Sequence, residues 1–172
     1  MALAGTKLLL TALSLAVLLP AVVAKAGPPV RVVGVHDGDT LTVLADRQRV
    51  RVRLTDIDAP ELGQPFGRRA KSALSDLCFG KPAEMEVRGR DRYGRTLARV
   101  KCDGWDANAE QVYHGYAWVY TRYAPVDSPL YALEHDAKNG RRGLWGADHP
   151  VPPWEWRRRR TARSSGMTEG AH

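Results

Sequence analysis

Residues 49–54 read Arg-Val-Arg-Val-Arg-Leu. A period of two puts Val50, Val52 and Leu54 on one side of an extended chain and Arg49, Arg51 and Arg53 on the other. A helix would scatter the same residues around its axis, so this segment has to be a strand with one face in a core. Such a strand needs partners. Val30 to Val35 and Thr40 to Leu44 precede it, separated by a turn at Gly38 and another over Ala45 to Gln48. Consecutive strands joined by short turns pair antiparallel.

The rest of the chain extends this pattern. Phe66, Ala70, Ala73, Leu74 and Leu77 have helical spacing, and Gly80-Lys81-Pro82 ends that helix. Ala83, Met85 and Val87 alternate with Glu84, Glu86 and Arg88, giving a fourth strand. A turn over Arg90 to Arg95 leads to a fifth strand, Thr96 to Lys101. After Asp103-Gly104 come a short helix, Ala107 to Tyr113, closed by Gly115, and an irregular aromatic stretch, Tyr116 to Tyr123. Ser128-Pro129 opens a third helix that Asn139-Gly140 ends. Pro150 to Pro153, with Trp154 and Trp156, reads as a coil laid against the domain. The fold class is therefore β-rich α+β. Five short strands with a helix after the third match a five-stranded OB barrel, here with three helices, whose loops rather than its wall hold any site.

The ends of the chain differ from its middle. Lys7, an apolar run from Leu8 to Val23 and Ala24-Lys25-Ala26 read as an export signal over 1–26, cleaved after Ala26. An uncleaved membrane anchor is the alternative, since the run is long for a signal and short for a span. A periplasmic or secreted location is expected, with no stable membrane span after cleavage. The formal charge is +7, but two lysines lie before residue 27 and residues 155–172 carry +3, so the domain over 27–154 is only mildly basic. The tail over 155–172, beginning Arg157 to Arg160, lacks apolar periodicity and reads as disordered. It is either a holder of polyanions or a solubility device. In an oxidising setting Cys78 and Cys102 are expected to form a disulfide, because two thiols make a poor zinc site.

Chemistry is concentrated between residues 37 and 61. Asp37-Gly38-Asp39 opens this stretch and Asp56-Ile57-Asp58-Ala59-Pro60-Glu61 closes it, with Arg53 between. Two acidic corners joined by a hairpin can fold back on each other. Asp39 and Asp58 are candidate ligands of a hard cation, for which calcium fits, and the Ala59 carbonyl can add a neutral oxygen. Glu61 can take a proton from water attacking phosphorus. Arg53 and Arg95 are suited to the charge that develops on a phosphodiester under attack. Arg92, Tyr93 and Tyr123 can hold a nucleotide by phosphate contact and stacking. Each piece also has an ordinary explanation: Asp-Gly-Asp as turn chemistry, Asp-Ala-Pro-Glu as a helix start, Tyr93-Gly94-Arg95 as a hairpin loop. The histidines show no metal-ligand spacing. No Gly-rich phosphate loop and no Ser-His-Asp arrangement is legible.

Val35 to Thr40, Arg53 to Glu61 and Asp91 to Arg95, with the Gly115 segment and Gly143-Leu144-Trp145, closely resemble the staphylococcal nuclease family, in one order and with its spacing. The resemblance covers about residues 30 to 147. It implies an OB barrel with three helices and calcium-dependent cleavage of DNA and RNA that leaves 3′-phosphates. It also implies roles. Asp39 and Asp58 match the calcium carboxylates, Ala59 the carbonyl donor, and Glu61 the general base or water-orienting group. Arg53 and Arg95 match the phosphate-binding arginines, and Tyr93 a nucleotide-contacting tyrosine. Arg92 stands where a lysine is common. Tyr123 matches one of a later tyrosine pair, with Thr121 in its partner's place. A monomer acting on DNA and RNA is expected. The alternative is the same barrel as a non-catalytic module that binds nucleic acid or protein.

Overall fold

The computed structural model describes residues 30–168. The signal expected over 1–26 lies outside them. β1 (Val30–Val35), β2 (Thr40–Ala45) and β3 (Gln48–Leu54) form the expected antiparallel meander. α1 (Gly67–Cys78) follows, after a two-residue strand β4 (Ile57–Asp58). β5 (Pro82–Arg90) and β6 (Thr96–Cys102) make a long hairpin, and β5 pairs with β1. Closure comes from β3 and β6, which run parallel with Arg53 opposite Leu97. The five long strands thus form a closed barrel in the order β3-β2-β1-β5-β6, with β6 returning to β3. Val32, Leu41, Val43, Val52, Leu54, Ala98 and Val100 fill it, all fully buried.

The alternation over 49–54 does what its period requires. Val52 and Leu54 enter the core and Arg49 and Arg51 face solvent. β5 meets β1 only at Pro82 and Ala83, so its second half leaves the barrel with β6 and Val87 is exposed despite its place in an alternating run.

A short strand β7 (Trp105–Asp106) leads into α2 (Ala107–Tyr113), where Asp106 caps the helix by accepting from the N–H groups of Asn108 and Ala109. The stretch expected to be irregular contains β8 (Trp118–Val119), which pairs antiparallel with β4 and sets Asp58 opposite Trp118. α3 (Leu130–Asn139) packs on α2, and a 3-10 turn (Gly143–Gly146) closes against Gly115, whose carbonyl accepts from the Leu144 N–H. The Cys78–Cys102 disulfide is formed, with Cα atoms 5.1 Å apart, and ties the end of α1 to the end of β6.

Two expectations are corrected at the C-terminus. The coil is found only over Pro150 to Pro152: α4 (Pro153–Thr168) is a fourth helix that takes in Trp154, Trp156 and residues 155–168 of the tail expected to be disordered. Proline at the first helical position suits a helix start, and no further proline interrupts the chain after it. The apolar stripe that marks a buried helix is absent because α4 is anchored mainly by its first turn. Trp154 stacks on Tyr120 with ring centroids 5.3 Å apart, and the Val151 carbonyl just before the helix accepts from the buried Gln64 side chain.

Candidate active site

Three loops meet at one end of the barrel: Asp37–Asp39 between β1 and β2, Thr55–Glu61 after β3, and Asp91–Arg95 between β5 and β6. They line a cleft of about 870 Å³ that holds Asp39, Arg53, Asp58, Ala59, Glu61, Arg92, Tyr93, Arg95, Tyr123 and Arg157. Every side chain singled out for chemistry from sequence therefore faces one space.

The first loop is fixed by packing. A Cβ on Gly38 would lie 2.6 Å from the Cβ of Ala70 and 2.7 Å from that of Ala59, so only glycine lets this corner sit between α1 and the second acidic loop. Gln111 of α2, fully buried, donates to the Gly38 carbonyl at 2.6 Å and to the Ala70 carbonyl at 3.0 Å. The second loop is held from three sides. Asp56 adopts a left-handed backbone (φ 65°), and its carboxylate accepts from Arg88 of β5 at 2.7 Å. Its carbonyl accepts from the Tyr120 N–H at 2.8 Å, and the Thr55 carbonyl accepts from the Asn108 side chain at 2.7 Å.

Asp39 and Asp58 are only 5% and 2% exposed. Arg53 binds both: its Nε is 3.1 Å from Asp39 Oδ1 and its Nη2 2.9 Å from Asp58 Oδ1. Its Nη1 donates to the carbonyls of Leu54 at 2.6 Å and Ile57 at 2.9 Å, which fixes the guanidinium. The other oxygen of Asp39 accepts from the Ala59 N–H at 2.6 Å. Burial pushes the Asp39 carboxyl up to about 7, against the opposing pull of Arg53, with Asp37 and Asp58 adding to the rise.

In the third loop Asp91 holds Arg95. Its Oδ2 accepts from Arg95 Nε at 2.7 Å, and its Oδ1 accepts from the backbone N–H groups of Tyr93 and Arg95. Burial works to raise the Asp91 carboxyl, but the Arg95 and backbone donors outweigh it and bring it below its usual value. Arg92 and Arg95 lie over the Tyr93 ring at 5.0 and 5.6 Å, and Tyr93 is 69% exposed at the cleft rim. Tyr123 is 64% exposed and packs edge-on against Tyr120 at 5.1 Å.

One residue that sequence reading assigned to a loose tail reaches this centre. Arg157 of α4 sets Nη2 2.7 Å from Asp58 Oδ2 and Nη1 2.8 Å from Glu61 Oε1. The available signal was Pro153, a helix start that would have carried Arg157 on its second turn. The positioning residues Arg88, Asn108 and Gln111 were also missed. Their polar side chains look like surface residues in sequence, and no local pattern distinguishes them.

The donors Asp39, Asp58 and the Ala59 carbonyl are hard oxygens of the kind calcium takes. A positive group already sits on Asp58 and Glu61 in the form of the Arg157 guanidinium, so the donor set fits a cation in chemistry and charge. Among the described residues no three His, Cys, Asp or Glu side chains meet in a metal-holding group; each of these carboxylates is turned onto a guanidinium instead.

Comparison with known proteins adds to this geometry. The family described as staphylococcal nuclease homologue matches residues 51–147. That span includes Arg53, Asp58, Glu61 and Arg95 and leaves out Asp39 and Arg157. A protein named micrococcal nuclease from Shigella flexneri is 41% identical over 91% of this chain and 94% of its own. Protein ParB of Escherichia coli is 42% identical over 88% of this chain and 91% of its own. An uncharacterized endonuclease of Escherichia coli is 45% identical over 76% of this chain and 85% of its own.

Proposed function

Because the chain belongs to the staphylococcal nuclease family, we propose that it is a hydrolytic nuclease that uses calcium to cut phosphodiester bonds of DNA and RNA. The observation that carries this reading is the shared cleft. Two buried carboxylates, a third at the rim and guanidinium groups from distant parts of the chain open onto one space.

Asp39 and Asp58, with the Ala59 carbonyl, would hold the calcium ion. When bound, calcium supplies charge neutralisation to the phosphate under attack. The chain's own groups do the rest. Glu61 accepts the proton of the attacking water. Arg53 and Arg95 donate to the non-bridging oxygens, where charge builds as the water oxygen bonds to phosphorus. The P–O5′ bond breaks, the 5′ oxygen takes up a proton from solvent, and the phosphate stays on the 3′ side. Tyr93 and Tyr123 offer exposed rings to flanking bases, and Arg92 a further phosphate contact. Such contacts read neither sugar nor base identity.

Export belongs to the same proposal, with the protein acting as a monomer in the periplasm or outside the cell. The Cys78–Cys102 bridge fits an oxidising compartment. No helix among the described residues is long and apolar enough to cross a membrane. A mature N-terminus found after Ala26 supports a cleaved export signal; one at Met1 in the membrane fraction supports the uncleaved anchor, and a protein confined to the cytoplasm overturns export.

The test of activity is digestion of plasmid DNA and of RNA by the purified protein, with calcium and with excess chelator. Cleavage with calcium alone, and a loss of about 10²-fold or more in Glu61→Gln, are expected. Tight binding without cleavage in calcium would favour a non-catalytic binding module instead.

A further inference from the structure

The two carboxylates that the nuclease reading assigns to the cation and to the attacking water share one guanidinium. Arg157 Nη2 approaches Asp58 Oδ2 at 2.7 Å, its Nη1 reaches Asp58 Oδ1 at 3.3 Å, and the same Nη1 reaches Glu61 Oε1 at 2.8 Å. This is a forked pairing of the sort guanidinium makes with carboxylates. It lies beyond the family match, which ends at residue 147.

The contact is built in. Gln64, buried and in the loop just past Glu61, donates to the Val151 carbonyl. Trp154 stacks on Tyr120, whose N–H in turn holds the Asp56 carbonyl. The start of α4 is therefore clamped to the loop that carries Asp58 and Glu61, and helical spacing brings Arg157 down onto them.

We propose that Arg157 is the resident counter-cation of the active site: it occupies Asp58 and Glu61 until a divalent cation displaces it, and so sets the cation requirement of the reaction. Arg53 pairs with Asp58 Oδ1, and Arg157 covers Oδ2, the oxygen left to a cation; an ion bound there would lie close enough to the Arg157 guanidinium for strong repulsion. Glu61, while bound to Arg157, has one oxygen withdrawn from water. Displacing Arg157 frees both carboxylates in one event, and it leaves a guanidinium loose at the rim of a cleft that receives phosphates.

This rests on the calcium reading, and the experiment separates the two. Calcium binding to the full-length mature protein is measured by calorimetry, without nucleic acid, for the wild type, Arg157→Lys and Arg157→Ala. Thermal melts in chelator are run alongside. Removal of the charge is expected to tighten calcium about tenfold or more, with Lys close to wild type, and to lower the melting temperature in chelator but not in saturating calcium. Equal calcium affinity in all three overturns the role of Arg157 while leaving the calcium reading intact. Failure of every form to bind calcium overturns both. If Arg157→Ala does not fold in chelator, Arg157→Gln takes its place, with the same expectation and the same overturning result.

Discussion

Asp39 Oδ2 accepts a 2.6 Å hydrogen bond from the backbone N–H of Ala59, twenty residues further along the chain. That bond joins the two acidic corners across the hairpin of β2 and β3. It also aims Asp39 at the segment that carries Asp58, so the buried charge cluster is a property of the backbone path and not of side-chain chance.

The path depends on Gly38. Its Cα packs against Ala70 and Ala59 with no room for a methyl group. Gly38→Ala should therefore destabilise the fold by about 1–3 kcal/mol, the range for overpacking a tight contact. It should also weaken calcium binding, because the Asp39 corner must shift to relieve the clash. Denaturant melts and a calcium titration check this. A variant with wild-type stability and affinity would mean that the corner tolerates the displacement and does not set the site.

The Asp39 carboxyl predicts a pH effect with a definite sign. Its folded value, about 7, lies above the ordinary 3.8. A group raised on folding contributes stability that is complete below about pH 4 and is lost as pH rises through 7. In chelator, wild type should therefore lose stability relative to Asp39→Asn across that window. The two should melt alike near pH 4, and the variant should melt higher at pH 8. In saturating calcium the order should reverse, since the variant lacks one of the carboxylates proposed to hold the ion. A difference between the two proteins that stays constant with pH in chelator would show that Asp39 is ionised throughout.

The disulfide joins residues 24 apart in sequence, the end of the first helix and the end of the last barrel strand. Closing a loop of that size restricts the unfolded chain by about 3–4 kcal/mol. Replacing both cysteines by alanine should cost about that much in denaturant melts, with calcium affinity little changed, because the bridge lies away from the cleft-lining residues. A double variant of unchanged stability would mean that the native form gains nothing from the cross-link.

Legibility in the sequence followed from how local each signal was. The alternation over 49–54, the turn at Gly38 and the spacing of Phe66 to Leu77 are periodic or single-residue signals, and the strands and first helix fall where they indicate. Asp39, Asp58, Glu61 and Arg53 were conspicuous because charge is dense within 25 residues of chain. β4 and β8 were not, since a two-residue strand leaves no period to detect. Their pairing matters nonetheless, because it fixes Asp58 opposite Trp118. Gln111 and Asn108 hold the acidic loops through buried amides, yet a glutamine or asparagine in a short helix carries no mark of burial. Arg157 was hidden for a different reason. In a run of four arginines, the one that turns inward is selected by helix phase and by the Trp154 anchor, and composition carries neither.

The remaining relationship that bears on turnover is between Asp91 and Arg95. Asp91 uses both oxygens: one takes the Arg95 Nε–H at 2.7 Å, the other takes two backbone N–H groups of the hairpin. Arg95, which lines the cleft, is thereby held through its Nε, with neither terminal nitrogen taken up by Asp91. Asp91→Asn preserves size and can keep the backbone bonds through its carbonyl oxygen, but it turns an NH₂ toward Arg95 and removes the charge that holds it. A hydrogen bond to a charged group contributes about 1.5–3 kcal/mol. If that orientation is realised in the transition state, turnover should fall about 10- to 100-fold, with calcium affinity near that of wild type. Asp76→Asn, on the surface of the first helix, is the control and should leave turnover unchanged. Arg95→Lys should not restore what Arg95→Ala loses, because a lysine cannot bond Asp91 and phosphate through one planar fork. Full activity in Asp91→Asn would mean that Arg95 orients itself on the substrate, and that the hairpin carboxylate serves only the turn.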